Sequence, residues 1–368
     1  MKIICNRSDL MKGVNIVSKA VASNTALEIL KCILIDASYE VIKLTANDLE
    51  LGIETLVEGD ILERGIIAID AKLLSEIVRK LPDSEVVIET TPQLETIITC
   101  EKARFVLSSL AGDDFSYLPP TEKEEELRIS EYSLREVIRQ VLFSVADSDT
   151  NRIMTGVLFE VNEDQLRVVT LDGHRISIRK LQLANPYTNR RVIVPGKALG
   201  EISKIISGNS DVEVLISFTE NHITFEFENT RVVSRLIEGN YFNIDQMLSN
   251  DYETRVTLNK KDLLGSIERS ILLTRESDKK PIILSIGDDV LELQMKSMIG
   301  SMNEEIVINK EGKDLRIGFN PKFLIDALRV IDDEEVTLYF MNPKAPCFIR
   351  DEEYSYIYLI LPVNIPLA

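Results

Sequence analysis

A threefold internal repeat constrains this chain more than any property of its composition, because a repeated segment must fold as a repeated unit. Residues 65–89 (GIIAIDAKLLSEIVRKLPDSEVVIE), 191–217 (RVIVPGKALGEISKIISGNSDVEVLIS) and 315–340 (LRIGFNPKFLIDALRVIDDEEVTLYF) follow one plan. Each has an apolar strand, a short turn carrying a lysine, an amphipathic helix, an acidic turn and a further apolar strand. The lysines Lys72, Lys197 and Lys322 stand 125 residues apart each time. Four positions on, all three copies are acidic (Glu76, Glu201, Asp326); seven positions on, all are basic (Arg79, Lys204, Arg329). Between them Leu73, Leu74, Ile77 and Leu81, then Leu199, Ile202 and Ile206, then Phe323, Leu324, Leu328 and Ile331 make an apolar stripe at helical spacing. Each helix is expected to bury one side and expose a charged one.

A second helix opens each unit: SDLMKGVNIVSKAVA, SEYSLREVIRQVLFSVA and NKKDLLGSIERSILLTR. Ser8 and Asn259 are the expected N-caps, and Leu10, Val14, Val17 and Val21 the first apolar face. The polar sides carry Lys12, Asn15 and Lys19 in the first copy, Arg135 and Arg139 in the second, and Lys260, Lys261 and Arg269 in the third. The remainder alternates as β-branched strands (ILKCILIDA, VIKLTAN, VLFEV, QLRVVTL, HITFEFE, PIILSI, VLELQM) joined by polar turns such as ASYE, NED and GDD. The expected fold class is α+β: three repeated domains, each an antiparallel sheet with two helices on one side. The acidic stretches at 121–126 and 249–254 read as solvated connectors and suggest domains at 1–121, 127–246 and 247–368.

Composition limits function. No uncharged apolar run approaches the ~20 residues that span a bilayer, and MKIICNRSDL has neither the basic flank nor the apolar stretch of a secretory signal, so a soluble cytoplasmic protein is expected. Cys5, Cys32, Cys100 and Cys347 have no metal-ligand spacing and read as buried, reduced thiols. With only two histidines, His174 and His222, a zinc site or a histidine triad has little to work with, and no metal or cofactor is expected. A hydrolase centred on Asp172, His174 and Arg175 is the distant alternative, His174 being better read as a packed turn residue. A net charge of −18 repels nucleic acid unless the basic residues gather on one face. The helical basic residues have two readings: solubilising residues paired with nearby acids, or a positive lining. The second follows if sheets of successive units pair edge to edge and the assembly closes with its helices around a hole.

Several motifs sharpen this. TANDLELGI at 45–53, VTLDGHRISI at 169–178, LIEGNYF at 236–242, GFNPKFLIDAL at 318–328 and YLILPV at 358–363, on top of the full-length repeat, resemble the bacterial β sliding clamps, processivity subunits of the replicative DNA polymerase. The resemblance implies the DNA clamp fold, a head-to-tail homodimeric ring around double-stranded DNA, no catalytic site, and no preference for sequence. It implies a DNA-facing set of Lys12, Lys19, Lys72, Arg79, Arg135, Arg139, Lys197, Lys204, Lys261, Arg269, Lys322 and Arg329. It adds loop stretches at Ser23, Asn24 and 149–154, where Arg152 is the basic residue. It places a pocket for short linear peptides of the polymerase, the clamp loader and repair proteins at Met154, Thr170, Leu171, Gly173, His174, Arg175, Ile176, Phe242, Met247, Asn320, Phe323, Lys344, Pro346, Leu359, Leu361, Pro362 and Val363. Phe242 and Gln246 replace the family's usual proline and arginine, and Ile365, Pro366, Leu367 and Ala368 extend past its usual end. At the dimer interface Phe105 and Leu107 are expected to meet Leu272 and Leu273. An acidic three-domain protein-binding scaffold that does not encircle DNA is the alternative function.

Overall fold

The computed structural model describes residues 1–119, 125–147, 151–274 and 280–365. The tip of the acidic connector at 121–124, together with Asp149, Pro366, Leu367 and Ala368, lies outside them. The described residues hold α1 (Arg7–Val17), α2 (Ala71–Lys80), α3 (Glu131–Val141), α4 (Gly196–Ile205), α5 (Lys260–Ser270) and α6 (Pro321–Val330), with antiparallel sheets. Contacts divide the chain into two units: Met1–Leu134 with Gly200–Leu236, and Arg135–Leu199 with Ile237–Ala368.

The repeat is written into the backbone. In each copy a strand runs straight into the first helix, and the helix's first N–H donates to the carbonyl just before a neighbouring strand: Arg7 to Ser84 (3.1 Å), Glu131 to Val212 (2.8 Å) and Lys260 to Glu334 (2.9 Å). These bonds satisfy a donor that no helix can satisfy internally. They also explain why Ser8 is not a cap. The helix α1 begins at Arg7, behind an extended Asn6 whose side chain makes no capping bond. Asn259 caps as expected, accepting from the N–H groups of Lys261 (2.9 Å) and Asp262 (3.3 Å).

The first unit has a five-stranded sheet, ordered Asp60–Glu63, Lys2–Asn6, Glu85–Thr90, Glu95–Cys100, Ala103–Ser108, and a nine-stranded sheet. In the latter, Thr230–Arg235 of the middle repeat pairs antiparallel with Leu51–Val57 of the first, Val232 opposite Ile53. The hydroxyls of Thr55 and Thr230 bond across that seam at 2.8 Å. The second unit has a seven-stranded sheet, in which Arg175–Pro195 of the middle repeat pairs with Tyr356–Ile360 of the last, and a four-stranded sheet ending at Ser301–Val307. Edge-to-edge joining of successive repeats is therefore present in each unit, as the edge argument anticipates.

The polar residues 162–164 reverse the chain as expected: Arg167 Nη1 donates to Glu160 Oε2 at 3.2 Å, a contact that a continuous extended strand between them would not allow. At this turn Glu163 adopts φ 52° and its N–H donates to the Asn189 side chain at 3.0 Å. Two expectations of burial fail. Leu73 is 42% exposed. The buried face of α2 is Ala71, Leu74, Ile77 and Val78, a stripe rotated away from Leu73. Val21 lies beyond α1 and is only half-buried, while Leu10, Val14 and Val17 are fully buried.

The helix α1 lies so close to the sheet that a Cβ on Gly13 would stand 2.6 Å from Val57 Cγ2 and 3.0 Å from Leu44 Cδ1. Neither the stiff valine nor the buried leucine has room to retreat. All four cysteines are free and buried. Burial pushes the thiols up, Cys5 to about 12 and Cys32 to about 11, with Cys347 higher still.

Gly13→Val is expected to destabilise the chain by about 1–3 kcal/mol through overpacking, read as a lower denaturation midpoint in urea. Because raised thiol pKa values leave almost no thiolate at pH 8, Ellman's reagent is expected to react with none of the four cysteines in the native protein and with all four in guanidinium; fast reaction of a native thiol contradicts the burial.

Candidate functional site

The expected pocket residues lie in the second unit, and their geometry starts from one tight turn. Leu171 and Ile176 face each other at the end of a hairpin. Between them Asp172 Oδ1 accepts from the N–H groups of His174 (2.9 Å) and Arg175 (3.1 Å). Gly173 closes the turn at φ +88°, a conformation that a side chain disfavours. Arg175 is then drawn inward, 7% exposed. Its Nε donates to Asp172 Oδ2 (2.9 Å), Nη1 to Asp326 Oδ2 (2.7 Å) and Nη2 to the Phe143 carbonyl (2.6 Å). The guanidinium also sits 4.5 Å from the Phe323 ring centre. Every edge of the fork is engaged, so Arg175 is an internal tie between the turn, α6 and the end of α3.

Around this tie the expected wall residues separate by depth. Leu171, Ile176 and Leu359 are buried in a cluster with Ile178, Tyr241, Ile244, Ile357 and Phe348, against which Met154 and Phe242 pack half-buried. Thr170 is fully buried and its hydroxyl donates to the Val141 carbonyl (2.7 Å), so it supports the floor from beneath. His174 is exposed and its ring stacks on Phe323, centroids 5.9 Å apart. The Leu361 N–H donates to the His174 carbonyl (2.9 Å) and the Val363 N–H to the Gly318 carbonyl (2.9 Å), which holds the tail beside the turn. Leu361 and Val363 are each 38% exposed and Pro362 is half-buried. Arg175 and Cys347 both pair with Ile360, which brings Pro346 to the same end of the sheet; Lys344 is exposed on its loop. Asn320 caps α6, accepting from the Lys322 N–H (3.1 Å). Met247 is 46% exposed at the end of the short turn Ile244–Met247.

The outcome is an apolar floor bordered by exposed apolar side chains and few polar groups, suited to binding and not to bond chemistry. The carboxylate of Asp172 is occupied by Arg175 and two backbone N–H groups, so it does not orient the His174 imidazole as a hydrolase would require. Among the described residues no group of three His, Cys, Asp or Glu is arranged to hold a metal ion. Sequence reasoning missed Tyr241 and Ile244 in the floor, and Asp326 and Phe143 as anchors of Arg175. Asp326 had a signal, since the third repeat has the shorter carboxylate where the others have glutamate. Phe143 acts through its carbonyl, which residue type cannot reveal.

The basic helical residues divide differently from the expectation. Lys12 pairs with Glu228 (3.2 Å), Arg139 with Asp332 (2.8 Å) as well as Glu136, Lys204 with Glu201 (2.8 Å), Arg269 with Glu304, and Arg329 with Glu268 (2.8 Å). Lys19, Lys72, Arg79, Lys261 and Lys322 are exposed and have no ion pair among the described residues. Arg135, Arg152 and Lys197 are also exposed. The pairing reading thus holds for five of these residues, while α5 and α6 each carry a paired cation (Arg269, Arg329) and an exposed one without an ion pair among the described residues (Lys261, Lys322).

Comparison with known proteins covers the whole chain. Family models match in order: the DNA polymerase III beta subunit N-terminal domain at residues 1–119, the central domain at 128–243 and the C-terminal domain at 245–364. A beta sliding clamp of Staphylococcus aureus (strain Mu50 / ATCC 700699) is 35% identical over 375 residues, covering 99% of each chain. A crystal structure from Eubacterium rectale ATCC 33656, described as that of a candidate DNA polymerase III beta subunit, has a TM-score of 0.97 at 62% identity, covering 99% of this chain and 100% of that one. The DNA polymerase sliding clamp of Bacillus subtilis has a TM-score of 0.96 at 35% identity, with 99% of each chain covered.

Arg175→Ala leaves Asp172 and Asp326 facing each other without their shared cation. It is expected to cost about 3–5 kcal/mol, the range for breaking a buried pair from one side, in chemical denaturation. His174→Ala, which removes an exposed ring, is expected to stay within about 0.5 kcal/mol of the parent.

Proposed function

This chain belongs to the DNA polymerase III beta subunit family, and from that membership we propose that it acts as a sliding clamp: a non-catalytic ring subunit that encircles duplex DNA and tethers the replicative polymerase and other replication and repair proteins to it. The observation that carries this reading is the succession of three family domains along a chain with a threefold repeat. A scaffold that avoids DNA is not favoured by that membership. Replication also assigns the protein to the bacterial cytoplasm, and among the described residues no helix is long and apolar enough to cross a membrane.

The work of such a ring is topological. Cations facing phosphate across water hold the duplex without reading bases, so no register is preferred and the ring slides. Lys19, Lys72, Arg79, Lys261 and Lys322 are the primary DNA-facing candidates, because they are not committed to carboxylates among the described residues; Arg135, Arg152 and Lys197 extend the set. The apolar floor under Met154, Phe242, His174, Phe323, Leu361, Pro362 and Val363 is the docking site for short partner peptides, whose large apolar side chains it suits.

Closure is head to tail between two copies. The free edge Ala103–Ser108, with Phe105 36% exposed and Leu107 half-buried, is one side. The free edge Ser301–Val307 is the other, near Leu272 (78% exposed) and Leu273. Two open edges that pair with each other remove a shared liability.

After loading onto nicked circular DNA, the protein is expected to stay bound through gel filtration and to run off once the circle is linearised; equal loss from both forms refutes encirclement. Reversing Lys72, Arg79, Lys261 and Lys322 to glutamate is expected to reduce retention most at low salt, where phosphate attraction is least screened. Phe323→Ala is expected to weaken binding of a glutamine-containing hydrophobic polymerase peptide about tenfold or more, measured by fluorescence anisotropy, with DNA retention unchanged.

A further inference from the structure

The free edge strand Ser301–Val307 pairs on one side with Val290–Lys296 and has no strand neighbour on the other among the described residues. Its outward positions Ser301, Asn303, Glu305 and Val307 are exposed, while Glu304 is only half-exposed. Glu304 turns toward α5, where Arg269 grips it as a fork: Nε donates to Oε2 at 3.0 Å and Nη2 to Oε1. The same Nη2 donates to Ser266 Oγ at 3.2 Å. The Arg269 bond, opposed by partial burial and helped by Ser266, holds the Glu304 carboxyl below the usual carboxylate range.

The guanidinium also has a fitted seat. A Cβ on Gly265, one helical turn before Arg269, would lie 3.2 Å from Arg269 Nη1. One turn after Arg269 the chain presents Leu272 at 78% exposure, and Leu273 approaches the hairpin at Gly300 that begins the edge strand. An exposed ion pair adds little to folding stability. A forked pair on a glycine seat, joining a helix to an unpaired strand, instead fixes the shape of a surface before anything binds it. The free edge of the first unit carries exposed Lys102 and Arg104 beside Phe105 and Val106, complementary in charge to Glu305.

We propose that Arg269 is a positioning residue for subunit closure: by clamping Glu304 to α5 it holds the edge strand Ser301–Val307 and the exposed Leu272 as one preformed docking face for the basic edge of a second copy. The inference rests on the head-to-tail dimer reading and assigns Arg269 to closure and not to phosphate contact. A preformed face lowers the ordering cost of association, so loss of the clamp appears in the dimer affinity.

Sedimentation velocity across a dilution series of the full-length protein tests this. Arg269→Ala is expected to raise the dimer dissociation constant about tenfold, Glu304→Gln to raise it in the same direction, and the double variant to be no weaker than the weaker single one. Arg269→Lys, which retains the charge and loses the fork, is expected to restore part of the affinity. Far-UV circular dichroism and the melting temperature, taken at a concentration where all variants are monomeric, are expected to match the parent. Should Arg269→Ala fail to fold, the Arg269→Lys and Glu304→Gln arms decide the question. A parent that dimerises together with variants that dimerise equally or more tightly overturns the clamp alone; a parent that stays monomeric at micromolar concentration overturns the dimer reading and the clamp with it.

Discussion

The structure depends on the need of every β-strand to satisfy both of its edges. Each repeat ends in strands whose outer N–H and C=O groups have no partner within that repeat. Thr230–Arg235 finds its partner in Leu51–Val57, and Arg175–Pro195 finds its partner in Tyr356–Ile360. These seams turn three modules into continuous sheets within the two units. They also determine where the candidate site lies, because the hairpin turn at Gly173 and the tail after Ile360 emerge at one end of the second seam. Ala103–Ser108 and Ser301–Val307 are terminal strands of their sheets, and the same physical need underlies our proposal that they meet a second copy.

At the second seam the electrostatics serve binding. Arg175 is shared by two carboxylates, one carbonyl and an aromatic face, an arrangement that satisfies a nearly buried cation without leaving it free for a ligand. The tie holds Phe323 beside the His174 ring and Asp326 in a half-buried position. What remains open above it is apolar. A site of this composition recognises side-chain shape and large apolar anchors, which fits a protein whose task is to hold other proteins in place.

Charge is the second constraint. With 60 acidic and 42 basic residues, the chain opposes a polyanion on average. Five of the basic helical positions answer nearby carboxylates instead of solvent. Such pairing neutralises part of the positive charge on the helices; for a clamp that holds DNA by enclosure, tight phosphate binding would oppose sliding.

The sequence by itself determined the repeat, its period, the helix and strand types, the acidic excess, the buried cysteines and, through five short motifs, the family. Those properties depend on local periodicity and residue type, which need no knowledge of distant neighbours. Only the tertiary structure decided that Leu73 faces solvent and that the backbone of Ser84, and not the side chain of Ser8, receives the start of α1. It likewise decided which cations are paired and that Thr170 supports the pocket from below. Each of these depends on what a distant segment brings within hydrogen-bond reach, and Arg175 with Asp326, 151 residues away, is the plainest case.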